Sequence, residues 1–140
     1  MNRPDLASKT WELMFELLLA AGPRVPAVAA RCGLTSAQCH VLRVLRPETT
    51  MPMRSLAEQL GCDASNVTGI VDRLEARGLV ERRSTNRDRR VRTLALTPAG
   101  VAVRTLVVER LGEPPEPITR LSTEDQQALC AILRRALGQK

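Results

Sequence analysis

Two short amphipathic stretches meet at Leu60-Gly61-Cys62-Asp63 with no room for a loop between them, and that junction constrains the fold more than any other part of the chain. Leu56, Ala57 and Leu60 share one face of the first stretch, and Val67, Ile70, Val71 and Leu74 share one face of the second, all at helical spacing. Gly61 tolerates the positive φ of a sharp turn, and Asp63 stands where an N-cap belongs. Arg77-Gly78 closes the second helix. The expectation is two helices at a steep angle, packed through their apolar stripes.

Two strands follow. Leu79-Val80-Glu81-Arg82-Arg83 and Val91-Arg92-Thr93-Leu94-Ala95-Leu96 are alternating or nearly so. The segment between them, Ser84 to Arg90, holds Arg87, Arg89 and Arg90, one acid and no apolar residue, so it is expected to project into solvent as a loop. A helix-turn-helix followed by an arginine-tipped hairpin is a winged helix-turn-helix. Its second helix can enter a major groove and its wing can reach a minor groove. With Val67, Ile70, Val71 and Leu74 turned inward, Ser65, Asn66, Thr68, Gly69 and Arg73 face outward, as small or hydrogen-bonding groups suited to base edges and phosphates. The amide groups at the helix N-terminus add a place for a phosphate.

Charge placement points the same way. The formal net charge is +6, and between Arg73 and Arg92 eight arginines face only three acids. Such local self-repulsion suits a polyanionic partner, with a solvated basic face as the ordinary alternative. Double-stranded DNA fits better than single strands, because Trp11 and Phe15 are the only aromatic residues and base-stacking platforms are missing. The same scarcity predicts an aliphatic core.

Other function classes are excluded on residue type. His40 is the only histidine, there is no glycine-rich phosphate loop, and no nucleophile sits near a base, so no catalytic residue is assigned. Cys32, Cys39, Cys62 and Cys130 form no CxxC pair, which leaves no metal site and no cofactor and suits a reducing cytoplasm. Leu13 to Ala21 is apolar but short and interrupted by Glu16, so no membrane partner is expected.

The flanks read as helices. The first, about Asp5 to Ala21, is apolar on more than one side through Leu6, Trp11, Leu13, Met14, Phe15 and Leu18, and it ends at Gly22-Pro23. A loosely helical connector leads to Thr35, N-cap of a helix carrying Gln38, Val41, Leu42 and Leu45. Thr97-Pro98 starts a helix that runs to Gly112; Pro114, Pro115 and Pro117 break the chain; Ser122 caps a last helix bearing Leu129, Ile132, Leu133 and Leu137. The reading is a single domain, mainly α with a small β-hairpin wing. N-terminal dimerisation and support helices fill residues 1–46, the winged helix-turn-helix 47–97 and C-terminal dimerisation helices 98–140. Leu6, Trp11, Met14, Leu18, Leu129 and Leu133 are the expected dimer contacts.

In order and spacing, Gly33-Leu34-Thr35-x-x-Gln38, Leu56-Ala57-x-x-Leu60-Gly61, Val67-Thr68-x-x-Val71-Asp72-Arg73-Leu74, Arg77-Gly78-Leu79-Val80-x-Arg82, Asp88-Arg89-Arg90 and Leu96-Thr97-x-x-Gly100 form one pattern. It resembles that of the MarR family of bacterial winged-helix transcriptional regulators over nearly the whole chain. The resemblance implies a homodimer with interleaved first and last helices, each protomer presenting one winged helix-turn-helix to a pseudo-palindromic operator. It also implies repression relieved by a small-molecule effector or by thiol oxidation. Asp88 then corresponds to an acid that orients an arginine, and Arg90 to the arginine that enters the minor groove. Three departures stand out: Thr93 where a further basic residue is common, with Arg92 beside it; Gly69 where a larger polar residue is common; and the triple-proline break.

Two rival readings carry their own tests. A winged helix used for protein–protein contact would bind DNA with little salt dependence, whereas phosphate contacts make affinity fall steeply with salt. A redox sensor built on Cys39 or Cys62 needs an exposed thiol of lowered pKa, against the ordinary reading of cysteine as a small buried apolar residue. The ligand site itself is not legible.

Overall fold

A computed structural model describes residues 3–85 and 88–139, with the side chains of residues 3, 4, 85 and 88–90 outside that description. The elements are α1 (Arg3–Ala20), α2 (Arg24–Arg31), α3 (Ser36–Val44), β1 (Met51–Pro52), α4 (Met53–Leu60), α5 (Ala64–Ala76), β2 (Val80–Thr85), β3 (Asp88–Leu96), α6 (Pro98–Gly112), α7 (Glu116–Thr119) and α8 (Thr123–Ala136). They form two compact units, Arg24–Gly112 and Met1–Pro23 with Glu113–Lys140. The packing therefore groups α2, α3 and α6 with the helix-turn-helix, and does not divide between residues 46 and 47 or between 97 and 98, where the sequence suggested segment boundaries.

The larger unit is built on an aliphatic core. Leu42, Leu45 and Val41 of the α3 region, Leu56 of α4, Val67, Val71 and Leu74 of α5, Val80 and Leu94 of the sheet and Val107 of α6 are all fully buried. Each such side chain contributes about 1.5–3 kcal/mol by leaving water. Ile70, expected to point inward with its neighbours, is only partly buried at the edge of this cluster.

Local chemistry sets the helix ends. Thr35 and Gln38 form a reciprocal capping box, the Gln38 amide donating to the Thr35 hydroxyl and the Thr35 amide to Gln38 Oε1. Gly61 takes the left-handed conformation at φ 61° and its N–H reaches the Ala57 and Glu58 carbonyls, which turns the chain from α4 into α5. Asp63 occupies the N-cap position of α5, but its side chain makes no capping bond. The start of α6 is pinned twice over. Thr97 Oγ1 accepts from the Gly100 amide at 3.0 Å and donates to the Gly78 carbonyl at 2.6 Å, and a β-carbon at Gly100 would lie 1.8 Å from the Leu79 carbonyl oxygen. Only glycine permits that approach.

The sheet is antiparallel, in the order β1-β3-β2. Two features depart from the sequence reading. β1, which pairs Met51 with Leu94 and Pro52 with Thr93, is too short to show alternation. The hairpin strands also extend into the expected loop. Pairing steps from Ser84↔Arg92 to Thr85↔Asp88, so residues 89–91 of β3 are accommodated as a bulge. The connector before α3 proves to hold a regular helix, α2.

In the smaller unit, Ser122 caps α8 by accepting from the Asp125 amide at 3.1 Å and donating its hydroxyl to Asp125 Oδ2 at 2.7 Å. The short aspartate thus takes the hydroxyl rather than the N-cap amide. The proline break holds the short helix α7, to which Gln126 Nε2 is tied through the Ile118 carbonyl at 3.2 Å. No described side chain of α1 is buried. By length and composition the stretch Asp5–Arg31 could cross a membrane, but Gly22 (φ 77°) and Pro23 divide it into helices of 18 and 8 residues, and α1 carries Lys9, Glu12 and Glu16.

Candidate nucleic-acid interface

α5 buries Val67, Val71 and Leu74 against the core, and this fixes what its other faces present. Ser65, Asn66, Thr68, Gly69 and Arg73 are all exposed, as expected. At 100° per residue, Ser65 and Gly69 lie opposite the buried stripe, with Asn66 and Arg73 on one flank and Thr68 on the other. Thr68 Oγ1 donates to the Ala64 carbonyl at 2.9 Å. Its proton is thereby committed, and the hydroxyl turns outward as an acceptor, suited to an amino group on a base edge. Because the Asp63 carboxylate makes no cap bond, it leaves the first-turn amides of α5 without a side-chain partner from that residue.

Gly69 stands apart. A β-carbon there would meet nothing within 4 Å, and its φ is not in the left-handed region. Glycine inside a helix costs about 1 kcal/mol relative to alanine, and neither backbone nor packing in this chain offsets that.

The arginines divide into two groups, which corrects the simple charge count. Arg82 is withdrawn from solvent, with its side chain 16% exposed. It donates through Nη2 to Asp72 at 2.5 Å and through Nη1 to Glu75 at 2.7 Å, while its backbone N–H reaches the other Glu75 oxygen at 3.1 Å. Burial disfavours its charge, but the hydrogen bonds and fields of Asp72 and Glu75 prevail and hold the guanidinium above its ordinary range. Arg83 pairs with Glu81. Arg77 Nη1 donates to the Gly33 carbonyl at 2.6 Å, joining the end of α5 to the turn before α3. Of the five arginines in the basic stretch whose side chains are described, three thus serve internal contacts, much as Arg104 binds the Leu45 carbonyl at the end of α3. Arg73 and Arg92 remain exposed. Arg87 lies outside the described residues, as do the side chains of Asp88, Arg89 and Arg90, so the wing-tip contacts expected of them have no described geometry.

Sequence reasoning missed the Arg82 cluster. Asp72 and Glu75 are three residues apart on one helix and so share a side, which is a signal for a bound cation. It also missed a groove of about 550 Å³ walled by Met53, Thr68, Arg82, Val91 and Arg92, which spans from α5 to the wing.

Cys39 fits packing, while Cys130 is exposed. Cys39 is 1% exposed, and burial, with a smaller contribution from Cys32, pushes its pKa up. That is the opposite of a sensing thiol. Cys62 is half-buried and donates to the Leu60 carbonyl at 3.4 Å. Of the expected dimer contacts, Leu6, Trp11, Met14 and Leu18 are exposed, while Leu129 and Leu133 are half-buried and Ile132 and Leu137 are the exposed large apolar residues of the α8 region.

Two helices joined by a left-handed glycine, the second presented outward beside a β-hairpin, define a winged helix-turn-helix. The MarR family pattern matches residues 34–91. The HTH-type transcriptional regulator YfiV of Bacillus subtilis is 31% identical over 131 residues, covering 91% of this chain and 82% of that protein. Among solved structures, the transcriptional regulator Tm0710 of Thermotoga maritima superposes with a TM-score of 0.75 at 29% identity, over 94% of this chain and 93% of its own. A cysteine-to-serine variant of E. coli MarR, solved with operator DNA, shares the fold at 22% identity and a TM-score of 0.64, over 98% of this chain and 99% of its own. The chain belongs to the MarR family; it is a transcriptional regulator and not an enzyme.

Proposed function

We propose that this protein is a cytoplasmic homodimeric repressor that holds a pseudo-palindromic DNA operator with two copies of its winged helix-turn-helix and is released by a small molecule. The observation that carries the reading is the outward face of α5. Fully buried Val67, Val71 and Leu74 turn Ser65, Asn66, Thr68 and Arg73 to solvent on the same unit that raises the wing with Arg92. Such a helix reads base edges through small polar groups, while arginines neutralise phosphates. Arg87, Arg89 and Arg90 add to the wing's charge by sequence, with Asp88 as the orienting acid. The related MarR variant bound to operator DNA supports the same use of the fold.

Dimerisation is supported by α1, where Leu6, Trp11, Leu13, Phe15, Leu18 and Leu19 are each more than half exposed. A helix of that composition is not stable facing water and needs a covering surface. A second copy gives the two-fold symmetry that a palindromic site requires. Release by a small molecule is supported by the groove lined in part by Thr68 and Arg92, since an occupant there would compete with DNA for those two side chains. Burial of Cys39 and the upward push on its thiol favour a ligand over an oxidant acting there.

The test is selection of a duplex from a random-core library, followed by affinity measured against salt. Binding through phosphates gives a log–log slope of about 0.9 per contact, and Arg92→Ala is expected to lower that slope by about one. A flat salt profile would overturn DNA binding.

A further inference from the structure

The strongest unexplained feature of the molecule is the glycine at the middle of the helix that faces outward. Gly61 and Gly78 are required by positive φ, and Gly100 by the Leu79 carbonyl that crowds it. Gly69 has neither reason. It lies in the interior of α5, its φ is not in the left-handed region, and the space where its β-carbon would sit is open. Alanine would stabilise α5, because its β-carbon meets nothing within 4 Å and glycine ranks last but proline among helix formers. The fold selects against glycine here.

We infer that Gly69 is a specificity-determining residue, kept free of a side chain because the base pairs read by α5 come closest to the helix at that point. The inference rests on the DNA-binding reading proposed above and goes further by assigning the steric role. Ser65 and Gly69 are one helical turn apart and occupy the centre of the outward face, opposite Val67 and Val71. Asn66, Thr68 and Arg73 stand to either side, so with Ser65 one turn back the hydrogen-bonding groups surround a patch of bare backbone at Gly69. With no β-carbon at Gly69, the helix axis can settle deeper into the major groove at that point, and the surrounding side chains reach base edges that a raised helix would hold out of hydrogen-bond range. The chemistry recognised is the floor of a B-form major groove. A glycine on a face that met only water, or only another protein's flexible side chains, would carry no such requirement.

The experiment compares Gly69→Ala with the parent protein on three readouts at one salt concentration. These are thermal melting, affinity for the duplex selected by the parent from a random-core library, and affinity for a random-sequence duplex of equal length. The expected result has opposite signs: Gly69→Ala melts a few degrees higher, binds the selected duplex at least tenfold more weakly, and binds the random duplex within about twofold of the parent. Gly69→Leu is expected to deepen the loss on the selected duplex and again spare the random one. The inference is overturned if Gly69→Ala binds the selected duplex as tightly as the parent, or if it loses equal affinity for both duplexes. If the parent itself retains no duplex from the library, the DNA-binding reading fails, and this inference with it; that outcome is distinct from a parent that binds and a variant that binds equally well.

Discussion

Arg82 donates to Asp72 across 2.5 Å, and this bond ties the first strand of the wing to the outward side of α5. With Glu75 on its other nitrogen, the guanidinium fixes the angle between the two parts that would meet DNA. Arg82→Met keeps the apolar stem and removes the donors. Because the Asp72 and Glu75 side chains are 59% and 41% exposed, water replaces much of the lost interaction, and the expected cost is about 1 kcal/mol in urea denaturation. Operator affinity should fall as the wing loses its tether, while the slope of log affinity against log salt stays at the parent value. A slope reduced by one would place Arg82 on a phosphate instead.

Gly100→Ala should be among the most damaging single substitutions in the chain. The added carbon would lie 1.8 Å from the Leu79 carbonyl oxygen and 2.8 Å from its carbon, and backbone cannot swing aside as a side chain does. The expected loss is roughly 3 kcal/mol or more, read as a lowered urea midpoint. A midpoint within experimental scatter of the parent would mean that α6 can shift freely on the sheet.

The apolar residues of α1 should make the dimer obligatory. Sedimentation of the parent is expected to give a dimer at every accessible concentration. Trp11→Asp combined with Leu18→Asp, at sites 68% and 66% exposed in one chain, should yield monomer or unfolded protein. A parent that sediments as a folded monomer would remove the dimer from the mechanism.

Cys39 should stay silent toward alkylating reagents at neutral pH, while exposed Cys130 reacts. Its pKa is raised in the fold above a free thiol's 9.0, chiefly by burial. The folded state therefore holds the proton more tightly than the unfolded chain. Its stabilising contribution is complete below pH 9.0 and is lost as pH rises through the higher folded value. Cys39→Ala should flatten the alkaline limb of a stability–pH profile. Rapid labelling of Cys39 at neutral pH would reopen its use as a sensor.

Much of the fold was legible because it depends on short-range regularities. The stripes of α4 and α5, the Thr35–Gln38 box, the turn at Gly61 and the cap at Thr97 each follow from residues within four positions of one another. The outward set Ser65, Asn66, Thr68, Gly69 and Arg73 followed by elimination once the buried stripe was known. β1 was not legible, since two residues show no period and become a strand only because β3 lies beside them. Nor was the extension of the hairpin through Thr85 and Asp88, which needs a bulge to absorb three residues of mismatch.

By itself, then, the sequence determined the order of helices and strands, the aliphatic core and the family, because periodicity and turn chemistry are properties of neighbouring residues. Only the tertiary structure decided the partners of Arg77, Arg82 and Gly100. Arg77 reaches a carbonyl 44 residues away, and Arg82 finds its two acids seven and ten residues back across a turn. Gly100 meets the backbone at Leu79 while Gly69 meets nothing. Charge and size are written in the chain, but partners are set by packing, and the partner separates an arginine that holds the fold together from one left to face DNA.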